Sequence, residues 1–94
     1  MSKSITYGQF MWVYSKQNEA GLDLRLGQLF NILFIKQDDN NPAVSDMFYA
    51  DGVDASQMIA DWMEDCQISY GNIPIVCYKK LPDSLKDIVK QCFL

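Results

Sequence analysis

Leu26, Leu29, Phe30, Leu33 and Phe34 stand at i, i+3, i+4, i+7 and i+8. Only a helix places all five on one side, and an apolar stripe of that width must be covered by other parts of the chain. The fold therefore has to be built around this segment. Asp23 is available as its N-cap, which gives a span of roughly 24–37. The cluster Asp38-Asp39-Asn40-Asn41-Pro42 ends it, because these residues favour turns and proline biases its predecessor away from helix.

The remaining elements are those able to cover such a stripe. Asp54 and Gln57 repeat the spacing of a capping box, with Val53 and Met58 as its hydrophobic staple. Behind them Ala55, Met58, Ile59, Trp62, Met63 and Cys66 form one apolar face, and Gly71 and Pro74 stop the helix at the latest. A short helix or turn at 43–49 brings Val44, Met47 and Phe48 to the same core. Near the start, Thr6 and Gln9 form a second box with Ile5 and Phe10 as staple, and Tyr7, Phe10, Met11 and Tyr14 recur helically. Towards the end, Pro82 and Asp83 suit a first helical turn ahead of Leu85, Ile88, Val89 and Cys92. Ile73 to Tyr78 is β-branched and holds a proline, so it reads as extended chain or an edge strand.

With 94 residues this is one domain, 1–94, of all-α class: a compact bundle of four or five short helices. The alternative is α+β, with a small two-stranded sheet made from 10–14 and 75–78, since Phe10 to Tyr14 is aromatic and β-branched.

Composition removes whole classes of chemistry. There is no histidine, so no Ser-His-Asp or Cys-His centre and no His-containing zinc site can be assembled. Cys66, Cys77 and Cys92 lie 11 and 15 residues apart, which excludes a C-x-x-C pair and predicts thiols buried as small hydrophobes. Neither Asp51-Gly52 nor Asp38-Asp39-Asn40 follows the calcium-loop pattern, and the five glycines are scattered singly rather than gathered in a phosphate loop. No metal, no cofactor and no enzymatic activity are expected. The longest apolar run, Phe10 to Tyr14, is five residues against the ~20 of a membrane span. No signal sequence is visible either, so the expectation is cytoplasmic.

The net charge of −4 conceals a partition. Residues 1–37 carry +2 and residues 79–94 carry +2, while 38–78 hold Asp38, Asp39, Asp46, Asp51, Asp54, Asp61, Glu64 and Asp65 with no basic residue. One reading has the basic ends fold back over these acids. Part of the cluster resists it. Glu64 and Asp65 fall in the last turn of their helix, where the dipole disfavours anions, and Asp61 and Asp65 share a face and repel. A local rule broken without local compensation points to a functional surface.

Asp38, Asp39, Asp46, Asp51, Asp61, Glu64 and Asp65, with Tyr49 beside them, are therefore the candidate partner-binding residues. The partner implied is a protein with a basic surface, including a nucleic-acid-binding groove whose phosphates the carboxylates would imitate. Direct binding of nucleic acid is not expected, since Lys79-Lys80 and Lys86/Lys90 are the only basic clusters. A self-assembling module, a homodimer or small oligomer joined by aromatic and methionine surface, is the alternative. Arg25 lies next to the apolar stripe and is placed to tie the second helix to Asp46 or Asp51, with Gln28 and Asn31 bonding the same turn.

The run Leu24-Arg25-Leu26-Gly27-Gln28-Leu29-Phe30-Asn31, then Asp46-Met47-Phe48-Tyr49-Ala50-Asp51 and a helix with Ile59 and Trp62, resembles a pattern in small uncharacterised phage and prophage proteins. The likeness covers roughly residues 22–63. It implies a setting, a small accessory protein of a virus or mobile element acting inside a bacterial host, and transfers no catalytic residue.

Overall fold

The capping box at Thr6 forms in both directions. Thr6 Oγ1 accepts from the Gln9 N–H at 3.0 Å, and Gln9 Oε1 accepts from the Thr6 N–H at 2.9 Å. It opens helix α1 (Tyr7–Glu19) in a computed structural model that describes residues 3–35, 46–76 and 78–93. A further orphan amide of that end is satisfied from far along the chain, the Tyr7 N–H donating to the Tyr70 carbonyl at 2.7 Å. α1 closes on Gly21 at φ +84°, with Leu22 N–H to Gln17 O and Gly21 N–H to Asn18 O, the paired bonds of a Schellman cap.

The five-residue stripe forms helix α2 (Leu26–Phe34), and all five of its members are buried. Its ends differ from the expectation. Asp23 sits in the left-handed region at φ +54°, and the N-cap is Arg25. Ile35 is already extended, so the helix stops before 36. The Asp38–Pro42 cluster lies outside the described residues, as does the first half of the turn at 43–49; residues 46–48 are helical.

Helix α3 (Gly52–Asp65) covers α2. It starts three residues earlier than the proposed box, with Asp51 as N-cap and Asp54 inside the first turn. Val53 consequently points outward, 85% exposed, and is no staple. The helix ends on another Schellman cap, Ile68 N–H to Met63 O at 2.9 Å and Gln67 N–H to Glu64 O at 3.1 Å, with Gln67 rather than glycine at φ +55°. Phe10, Phe30, Phe34 and Trp62 meet ring against ring at 4.7–5.4 Å, joining α1, α2 and α3. Helix α4 (Asp83–Lys90) packs on α1 through Leu85, Ile88 and Val89, flanked by 3-10 turns Tyr78–Lys80 and Gln91–Phe93.

The fold is helical with a small antiparallel sheet, but the strands are not 10–14 and 75–78. Residues 10–14 are in α1, where the Thr6 box has already committed the backbone to helix. The sheet pairs β1 (Lys3–Ile5) with β2 (Ile73–Ile75) in the register Lys3↔Ile75, Ser4↔Pro74 and Ile5↔Ile73. Ile5, Ile73 and Ile75 turn into the core while Pro74 faces outward. The next residue, Val76, donates its N–H to Leu33 O at 3.0 Å and so satisfies one of the orphan carbonyls of α2.

This pairing brings Lys3 to the basic C-terminal end. The Lys3 ammonium lies 5.0 Å from the centre of the Tyr78 ring and 4.8 Å from that of Phe93, and Lys86 approaches Tyr78 as well. Among the described methionines, Met47 and Met63 are core residues and Met11 and Met58 are half-buried. Cys66 is exposed at the end of α3 and Cys92 is half-buried, against the expectation of buried thiols; Cys77 lies outside the described residues.

Candidate functional site

Asp51 is the junction from which the candidate surface is built. The chain turns sharply after it, through Gly52 at φ +60°, and enters α3. Its Oδ1 accepts from the Leu26 N–H at 3.1 Å and from the Tyr14 hydroxyl at 3.3 Å. One carboxylate thus serves the N-terminal ends of α2 and α3 together, where both helix dipoles favour an anion, and it ties α1 to them. The Leu26 N–H above all, then the Gly52 N–H, the Tyr14 hydroxyl and the charge of Arg25, hold its carboxyl below the usual carboxylate range against the opposing effect of burial.

A carboxyl whose folded pKa is depressed adds stability above its unfolded value of about 3.9, and loses it as pH falls through the lower folded value. Asp51→Asn should therefore lower the urea midpoint at pH 7 and converge on wild type as the pH falls through the lowered folded value. An identical deficit at pH 7 and below that value would show that the charge contributes nothing.

Among the described residues no ion pair joins Arg25 to Asp51 or Asp46; the guanidinium acts on Asp51 through space. Gln28 Oε1 accepts from the Arg25 N–H at 3.4 Å, and Asn31, buried, donates to the Gly27 carbonyl at 3.3 Å. Gly27 itself carries the contact. Its N–H reaches the Ala50 carbonyl at 3.2 Å, and the Met47 carbonyl oxygen occupies the space a Cβ would need.

From Asp51 the acids run along α3. Asp54, Asp61, Glu64 and Asp65 are all exposed and, with Gln57, fall within roughly 100° of arc. Gln57 Nε2 donates to Asp61 Oδ1 at 3.1 Å. The last turn has no basic residue, and among the described residues the ion pair present is Lys16–Glu19, on α1. Among the described residues no basic side chain is ion-paired with Asp54, Asp61, Glu64 or Asp65.

Asp46 and Tyr49 are exposed one turn ahead of Asp51, Tyr49 at 70%. Asp38 and Asp39 lie outside the described residues. The α3 acids thus form one stripe, with Asp46, Tyr49 and Asp51 at its N-terminal end.

Two positions escaped the sequence reading. Val53 was hidden by the wrong cap. Gln17 is fully buried and its amide closes both ways on Leu24: Oε1 accepts from the Leu24 N–H at 2.9 Å and Nε2 donates to the Leu24 carbonyl at 3.1 Å. Its position at i+7 from Phe10, on the buried side of α1, was the signal available.

An open groove between α1 and the C-terminal turn is lined by Gln9, Trp12, Gln91 and Cys92, with no carboxylate among them. Among the described residues no three His, Cys, Asp or Glu side chains gather in a metal-holding arrangement, and no helix is long and apolar enough to cross a membrane. Comparison with known proteins adds no relative. No family model, curated protein or solved structure matches this chain.

Proposed function

We propose that this chain is a non-enzymatic binding protein, a small phage-type accessory factor that modulates a host protein through its acidic face, in the bacterial cytoplasm. The observation carrying this reading is the α3 stripe: Asp54, Asp61, Glu64 and Asp65 share one exposed face with no basic residue on the helix. Two of these acids oppose the helix dipole at an expense of ~0.3–1 kcal/mol each. Folding gains nothing from that placement, whereas a cationic partner does. A basic groove that ordinarily holds phosphates is one such partner, and occupying it would inhibit.

The test is charge reversal. Wild-type protein should retain a basic protein from host lysate at about 0.05 M salt and release it at about 0.3 M. The triple variant D61K/E64K/D65K should weaken that association at least about tenfold while its helical circular dichroism stays unchanged, because lysines suit the last turn of a helix. Undiminished association of the triple variant would sink the reading.

A further inference from the structure

Tyr49 and Val53 are the two most exposed of the large apolar side chains among the described residues, at 70% and 85%. They are held firmly. Met47, two residues before Tyr49, is buried in the core, and Ala50, one residue after it, is pinned by its carbonyl to the Gly27 N–H at 3.2 Å. Within the turn, the Tyr49 N–H donates to Asp46 O at 3.3 Å and the Ala50 N–H to Met47 O at 3.0 Å. The Phe48 ring meets the Tyr49 ring edge-on at 5.3 Å and 74°. Asp51 is fixed by Leu26 and Tyr14, and Val53 follows in the first turn of α3. A tyrosine on a fixed backbone loses little conformational freedom when it is buried by a partner, which is why such residues concentrate binding energy.

The charges around this pair say what kind of partner fits. Asp46, Asp51 and Asp54 are all exposed and within one turn of Tyr49 or Val53 in the chain. Oδ1 of Asp51 is engaged inside the protein by Leu26 and Tyr14. Exposed apolar side chains flanked in the chain by carboxylates are complementary to an apolar pocket rimmed by lysine or arginine.

We propose that Tyr49 and Val53 are the apolar anchor of the partner contact, entering an apolar pocket on a basic protein surface, with Asp46, Asp51 and Asp54 as the charged rim. This rests on the acidic-face reading and adds to it a second, short-range component. The stripe on α3 governs the approach, and the anchor governs how long the complex lasts.

A random peptide library selected on the immobilised protein provides the probe. Selected peptides should combine lysine or arginine with aliphatic or aromatic residues, and their binding should shift the amide resonances of Tyr49 and Val53. Tyr49→Ala and Val53→Ser should each speed their dissociation about tenfold or more, with thermal midpoint and salt dependence unchanged. Tyr49→Phe should restore most of the loss. The triple variant D61K/E64K/D65K should slow association and flatten its salt dependence instead. Basic peptides that bind Tyr49→Ala as well as wild type would overturn the anchor and leave the acidic-face reading standing. Apolar peptides without basic residues would overturn the rim, and selection of no basic peptide would overturn both readings.

Discussion

Gly27→Ala should destabilise the protein by about 3 kcal/mol or more, although alanine is the better helix former by about 1 kcal/mol. The added methyl group is directed at the Met47 carbonyl oxygen, and it would also lie 3.0 Å from Ala50 O and Met47 C. All three are backbone atoms, so no side chain can rotate away. The 47–50 segment must leave α2, breaking the Gly27–Ala50 hydrogen bond and drawing Asp51 from the Leu26 N–H. For a domain of this size the midpoint of thermal unfolding should fall by roughly 15 °C, read by circular dichroism. Gly8→Ala is the control. Its methyl group would meet nothing nearer than Thr6 Oγ1 at 3.7 Å, so the same substitution there should be neutral or stabilising. A Gly27→Ala protein as stable as wild type would mean that α2 and the 47–50 turn are not in direct backbone contact.

Gln17→Leu should cost about 2–4 kcal/mol in urea denaturation at pH 7. The substitution keeps an apolar group of similar bulk but leaves the N–H and carbonyl of Leu24 without the amide that satisfies both. Gln17→Glu should be worse at neutral pH. It can still accept from Leu24 N–H, but its other oxygen would face the carbonyl oxygens of Tyr14 and Leu24. Burial and those oxygens raise the folded pKa of the new carboxyl above its unfolded value of about 4.3. The penalty therefore grows as pH rises above about 4 and is relieved by acidification, opposite in sign to the Asp51 effect. A Gln17→Leu chain with wild-type stability would show that the 20–25 turn needs no such clamp.

These two positions also show why the fold was only partly legible. The α2 stripe, the Thr6 box and the α4 face could be read because their signals are local and periodic. The start of α2 could not. The carboxylate bonding its first N–H is Asp51, 25 residues on, while the nearby Asp23 spends its turn in a left-handed conformation. β1 and β2 are three residues each, too short for a period of two to stand out, and their partners are about 70 residues apart. Val53 and Met58 matched a staple, yet the true cap one turn earlier placed Val53 in solvent. The acids of α3 could be placed on one face from spacing alone, because helical geometry decides that. Whether the basic ends would cover them depended on the β1–β2 pairing, which no local pattern announces.

That pairing has an electrical consequence. Lys3, Lys79, Lys80, Lys86 and Lys90 gather where the two ends of the chain meet, against α4 and its turns, while the carboxylates of α3 lie beyond α2. Among the described residues the packing order α4–α1–α2–α3 separates these lysines, with Asp83 and Asp87 among them, from the α3 carboxylates, an asymmetry that the modest net charge conceals. In the field of a cationic surface such a molecule experiences torque before it experiences contact, and it arrives with α3 leading. At physiological ionic strength that torque acts over about 8 Å, so orientation is the last event before collision.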